Sequence, residues 1–216
     1  MTERCPRIRR YGATPLGEQL LLREVVRISF YMPHDHHELA AGVERALDTY
    51  LRVVGEGPET LCYWEDTEGE GDQFQLSERG WNVIRSWLRP STSWRFLDEF
   101  GEETEFFRGR TKKGHEVFIS LTGAPSEPTG YRFTYCARLP WRTPSERGVS
   151  VLSATLPTEY LEEHGSGQVR ELALEMASHL RFSTGHAGLA FDFFRPRGRL
   201  LAGLREELFR YPGLDV

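Results

Sequence analysis

Cysteine is scarce in this chain of 216 residues: Cys5, Cys62 and Cys136 are odd in number, far apart and free of CxxC spacing. That argues against a disulfide framework or a zinc site and for reduced thiols. No run approaches the ~18 apolar residues that cross a bilayer. The first residues, MTERCPRIRRYGATPLGEQ, lack the apolar segment of a secretory signal. The expected location is the cytoplasm, with no membrane partner. Walker A, GxGxxG, GxSxG and HExxH patterns are all missing, so nucleotide binding, a nucleophile elbow and zinc hydrolysis have no local support. Positive charge is also short, with 27 Lys and Arg against 32 Asp and Glu and a net charge of −5. Broad nucleic-acid binding depends on cations that neutralise phosphates, so nucleic acid is not expected as a direct partner. The remainder is ordinary for a globular protein, at 39% hydrophobic and 27% charged.

The clearest regular pattern lies in residues 148–194, which read strand, helix, strand. Val149 to Leu156 is β-rich and closed by Pro157. After Gly165, Ser166 and Gly167, a helix is expected in which Val169, Leu172, Ala173, Met176, Ala177 and Leu180 recur on one face. Ala187 to Phe194 then reads as an apolar strand inside a sheet. Earlier in the chain, Val26, Ile28 and Phe30 alternate with Arg27 and Ser29 within a strand at 24–32, closed by Pro33. A helix follows, with Leu39, Ala40, Val43, Ala46, Leu47, Tyr50 and Leu51 as its stripe, ending near Gly55. The two strand-helix units resemble a duplication. Residues 61–64 and 73–76 are expected to form a hairpin, with Ser77 capping a helix over 78–88. Further strands are expected at 94–97, 104–108, 116–121 and 131–137, and a last helix bears Leu200, Leu201, Leu204 and Leu208. Strands that follow one another without helices pair antiparallel, so the class is α+β: a mainly antiparallel sheet with amphipathic helices packed against it. Residues 1–24 read as an N-terminal arm with no firm structure, and 25–216 as one domain.

Candidate chemistry is sparse. His34, Asp35, His36 and His37 are residue types that bind zinc, nickel or iron, and a small metal-dependent hydrolase built on His34, His36 and His37 is the enzymatic alternative. Neighbouring turn residues point different ways, however, and Asp35 suits a helix N-cap, so a structural turn is favoured and no metal or other cofactor is expected. The adjacent carboxylate pairs Glu65/Asp66, Glu102/Glu103 and Glu162/Glu163 are better read as solvated surface than as acid and base. Among the five tryptophans core packing is the expectation, with Trp64 the exception because it adjoins an acidic loop. Residues 64–72 carry five carboxylates, Glu65, Asp66, Glu68, Glu70 and Asp72, and no base. Like charges so placed belong on the surface unless something cationic covers them. A chain without a legible reactive site is expected to bind rather than react; a protein-binding scaffold for an unrelated partner is the blander alternative.

Several segments carry a resemblance. ISFYMPHDHHELAAGVERALDTYL (28–51), GWNVIRSWL (80–88), VSVLSATLPTEYLEEHG (149–165), VRELALEMASHL (169–180) and STGHAGLAF (183–191) together resemble the bacterial type VI secretion immunity family that protects against VRR-Nuc nuclease effectors. The resemblance covers roughly residues 20–216. It also implies further sequence after the closing RYPGLD segment (210–215). What it implies is a cytoplasmic, non-enzymatic protein that binds a cognate effector toxin and blocks it. A nuclease presents a basic, metal-containing groove to DNA, so its inhibitor is expected to offer carboxylates in place of phosphates. Trp64, Glu65, Asp66, Glu68, Glu70 and Asp72 are the candidate toxin-binding residues.

Overall fold

The computed structural model describes residues 5, 7–14, 17–57, 59–65, 73–88, 117–125, 127–138 and 148–193. Among these, eight strands and three helices follow in the order β1 (Arg10–Thr14), β2 (Gly17–Met32), α1 (His36–Val54), β3 (Tyr63–Glu65), β4 (Gln73–Gln75), α2 (Glu78–Trp87), β5 (Val117–Thr122), β6 (Arg132–Ala137), β7 (Ser150–Pro157), α3 (Thr158–Ser178) and β8 (Thr184–Phe193). Every ladder between these strands is antiparallel, as the class α+β requires. The expected elements at 94–97, 104–108 and 200–212 lie outside the described residues.

The long strand β2 organises the sheet. Leu22 is paired with Arg10 of β1 and with Phe193 of β8. A strand residue has one neighbour on each side, so β1 and β8 occupy opposite edges of β2. β7 pairs with Val25–Met32 of the same strand, and the sheet continues through β6, β5 and β3 to β4. The alternation read in the sequence sets which face is covered: Val26, Ile28, Phe30 and Met32 join Leu152, Ala154 and Leu156 of β7 and Phe133, Tyr135 and Ala137 of β6 in one buried cluster. Onto it fold Leu39, Val43, Ala46, Leu47, Tyr50 and Leu51 of the predicted α1 stripe, the Val169, Leu172, Met176 and Leu180 stripe of and after α3, and Ile84 and Leu88 at the end of α2; Ala40 of the α1 stripe is buried as well. α1 and α3 cross closely at Gly42, where an added Cβ would stand 2.3 Å from the His179 carbonyl oxygen. Tyr50 of α1, fully buried, donates its hydroxyl to the Thr155 carbonyl at 2.6 Å and so ties helix to sheet.

Three expectations are corrected. Residues 10–24 are not an unstructured arm: Arg10–Thr14 and Gly17–Leu22 form a hairpin continuous with β2. A helical segment starts at Thr158, straight after β7 and ahead of the expected helix. Gly165, at φ 79° and ψ 165°, is non-helical and sets a kink between two helical segments within α3, so the helix expected after it does form; that backbone conformation is open to glycine because it lacks Cβ. β8 is not interior; among the described residues it pairs only with β2. Its first four residues, Thr184–Ala187, are exposed, whereas Ala190, Phe191 and Asp192 within the expected run are buried.

Candidate functional site

The acidic stretch joins two short strands at the end of the sheet. Tyr63, Trp64 and Glu65 pair with Gln75, Phe74 and Gln73, and β3 is also paired to β5, so the expected hairpin forms. Trp64 and Glu65 are half-buried; Asp66, Glu68, Glu70 and Asp72 lie outside the described residues. The hairpin base is fixed on both strands. Cys62 N–H donates to the Thr122 carbonyl at 3.0 Å and Leu76 N–H to the Cys62 carbonyl at 2.7 Å.

Side chains alternate across this ribbon. Trp64 and Phe74 stand opposite one another with ring centroids 5.6 Å apart, and the Trp87 ring meets Trp64 edge-on at 5.7 Å. α2 backs the pair. Ser77 caps this helix by accepting from the Gly80 N–H at 3.4 Å. At Gly80 an added Cβ would lie 2.9 Å from Trp64 Nε1, so the glycine makes room for the indole. α2 is tied in turn to α1 through Arg85, which donates to Asp48 at 2.7 Å and to Glu44 at 3.3 Å. Trp81 Nε1 donates to Glu56 at 3.0 Å. Of the aromatic pair, Phe74 is 46% exposed. Tyr63 and Gln75 line an open groove with Glu56, Cys62 and Gly123.

The histidine turn is structural in its central member. His36 is fully buried at the start of α1. Its Nε2 lies 2.8 Å from the Trp87 carbonyl and its Nδ1 3.1 Å from the Tyr135 hydroxyl. A carbonyl can only accept, so Nε2 carries the proton and Nδ1 accepts from Tyr135. Both ring nitrogens are therefore engaged within the protein. Burial pushes the His36 pKa down, against the raising effect of the Trp87 hydrogen bond. His37 is exposed, and His34 lies 3.6 Å from Glu38. Asp35 occupies the N-cap position of α1, and its carboxylate accepts from Arg138 Nε at 3.0 Å. No group of three or more His, Cys, Asp or Glu among the described residues could hold a metal ion, and a three-histidine metal centre is not assembled here.

A second carboxylate cluster went unnoticed in the sequence. Glu24 is completely buried in β2. Its carboxylate accepts from Ile8 N–H at 2.8 Å and from the Thr158 hydroxyl at 3.1 Å, with Arg7 3.5 Å away. Arg7 also reaches Glu162 at 2.5 Å, while Arg9 and Arg23 converge on Glu159, the latter at 2.6 Å. Burial raises the Glu159 pKa, but its backbone hydrogen bond and the two guanidiniums outweigh burial and hold it below the ordinary carboxylate value. Glu162, half of a pair considered for acid-base work, is spent on Arg7 and the Cys5 N–H. Arg7 and Arg9, two residues apart and aimed alike, are the signal that could have suggested the cluster. For Phe74 it is the hairpin register itself, which sets that residue opposite Trp64.

Among the described residues no helix is long and apolar enough to cross a membrane. The family described as type VI immunity for VRR-NUC matches residues 42–216. The structure is similar to a solved Pseudomonas aeruginosa T6SS protein, PA0821, with a TM-score of 0.65 at 16% sequence identity. The likeness covers 97% of this chain and 53% of that one, so this chain spans about half the length of its neighbour. At that identity the likeness is one of fold. A search of curated proteins returns no match. The family match extends over most of the chain, from within α1 through the acidic hairpin and beyond β8: the chain belongs to the family of type VI immunity proteins for VRR-NUC.

Proposed function

We propose that this chain acts in the cytoplasm as a binding protein, not an enzyme, that captures a VRR-Nuc effector and blocks its active site with the acidic β3–β4 hairpin. The observation that carries the reading is the hairpin: five carboxylates without a base in 64–72, joined to a base fixed at the end of the sheet. A nuclease that grips phosphates must present cations and a metal to them, and a row of carboxylates meets the same groups. A fixed base limits the ordering cost of docking such a loop.

The test is rescue. The neighbouring effector gene is expressed in a heterologous bacterium with and without this chain, and the two proteins are copurified. Restored growth with a stable complex is the expected result. An active toxin that kills equally in both strains, with this chain folded and no complex formed, would refute the proposal.

A further inference from the structure

We propose that Phe74, supported by Trp64, is the apolar anchor of the effector interface, packing against an aliphatic or aromatic side chain beside the effector's cationic groove. This rests on the preceding reading that the hairpin is the effector-binding edge, and adds a contact of opposite chemistry to its acids. Interfaces of this kind place a desolvated aromatic centre inside a charged rim; the rim excludes water and steers, and the centre holds. Both parts occur here within one hairpin. The charged part is read from the sequence, where the acidic run 65–72 immediately precedes Gln73 of β4. The centre is Phe74, nearly half exposed while its ring leans on Trp64.

The geometry favours an anchor over incidental exposure. Trp64 meets the Phe74 ring at a tilt of 38°, is met edge-on by Trp87, and is seated over Gly80, so Phe74 rests on a support that does not need to be ordered on binding. The other exposed large apolar side chains among the described residues, Tyr11, Val53, Val149, Leu174 and Phe182, all lie outside the β3–β4 hairpin. Of these six, Phe74 alone lies within an acidic hairpin. Charge complementarity selects the occupant: five carboxylates bring a cationic surface to this hairpin, and an apolar side chain bordering that surface is what a half-exposed phenyl ring can bury.

The two parts separate in kinetics. The neighbouring effector, carrying an inactivating substitution, is titrated against wild type, Phe74→Ala, Phe74→Gln and E65Q/E68Q/E70Q/D72N, which neutralises four of the five loop carboxylates, from low to high salt, with association and dissociation rates measured. The Phe74 variants are expected to dissociate about tenfold or more faster, with unchanged salt dependence. The neutralised loop is expected to associate more slowly with a flattened salt dependence. Thermal melting checks that each variant is folded, and Phe74→Gln, with β4's own flanking residue type, covers the case that alanine disturbs the strand. A wild-type complex whose dissociation rate is within twofold of that of a folded Phe74 variant overturns the anchor and leaves the acidic loop standing. Failure of wild type to bind overturns the underlying functional reading together with the anchor.

Discussion

Two groups of carboxylates in this chain share a chemistry; the first has its counter-charges within the fold, and the second is proposed to bind a cationic effector surface. Glu24, Glu159 and Glu162 meet Arg7, Arg9 and Arg23 within the molecule, and through them the N-terminal residues are fastened to the start of α3. Glu65, Asp66, Glu68, Glu70 and Asp72 lie in a stretch that contains no base. The first group works for the fold, because a carboxylate buried as deeply as Glu24 is tolerable only when paired and hydrogen-bonded. For the second, the proposed function supplies a cationic partner to like charges gathered in one stretch of sequence. An acid's role is thus better judged by its partners than by its local density.

Substitutions should separate the two groups. The largest effect is expected at Glu24. Glu24→Ala removes the buried carboxylate that serves Ile8 N–H, Thr158 and Arg7, and breaking a buried pair costs about 3–5 kcal/mol. Chemical denaturation should register it, while affinity for the effector stays unchanged in whatever fraction remains folded.

Next comes Gly80→Ala. An exposed helix would gain up to about 1 kcal/mol from alanine. Here the new methyl meets the Trp64 indole at 2.9 Å, and overpacking costs about 1–3 kcal/mol. Net destabilisation with weakened effector binding is expected; a stabilised protein with unaltered binding would disprove the role assigned to this contact.

Acid should act on the fold. The His36 pKa is lowered by burial, so the unfolded chain binds a proton more readily than the folded one. Stability is complete above the ordinary histidine value and falls as pH drops below about 6.5, by up to about 1.4 kcal/mol per pH unit for one proton. Glu159, also lowered, contributes stability above the ordinary carboxylate value and loses it as pH falls through its folded value. Urea midpoints measured between pH 7 and 5 should fall for wild type and fall less for His36→Gln. The smallest stability effect is expected for E65Q/E68Q/E70Q/D72N, within about 0.5 kcal/mol of wild type.

How much of this was legible varied with sequence separation. The α1 stripe, the Ser77 cap and the inward face of β2 follow local periodicity, and each appears where the pattern places it. The break at Gly165 was legible and the structure kinks there; the helical segment before it, from Thr158, was missed because so short a segment shows no helical stripe of its own. The N-terminal hairpin, a local pairing of Arg10–Thr14 with Gly17–Leu22, was missed because β1 does not alternate cleanly; ahead of it, Arg7 reaches Glu162, 155 residues away. Local spacing carries no sign of such a pairing. At the candidate site the acids were plain in the sequence, but Phe74 gained meaning only through its register with Trp64, and Gly80 through its closeness to the indole.

The central claim is that the acidic hairpin binds the effector. Its most direct test is the affinity of the effector complex as a function of salt, for wild type and for E65Q/E68Q/E70Q/D72N. The account predicts a wild-type affinity that weakens steeply with salt, and a variant of equal stability whose affinity is lower and nearly flat. Coincident affinities and slopes for the two proteins would contradict it.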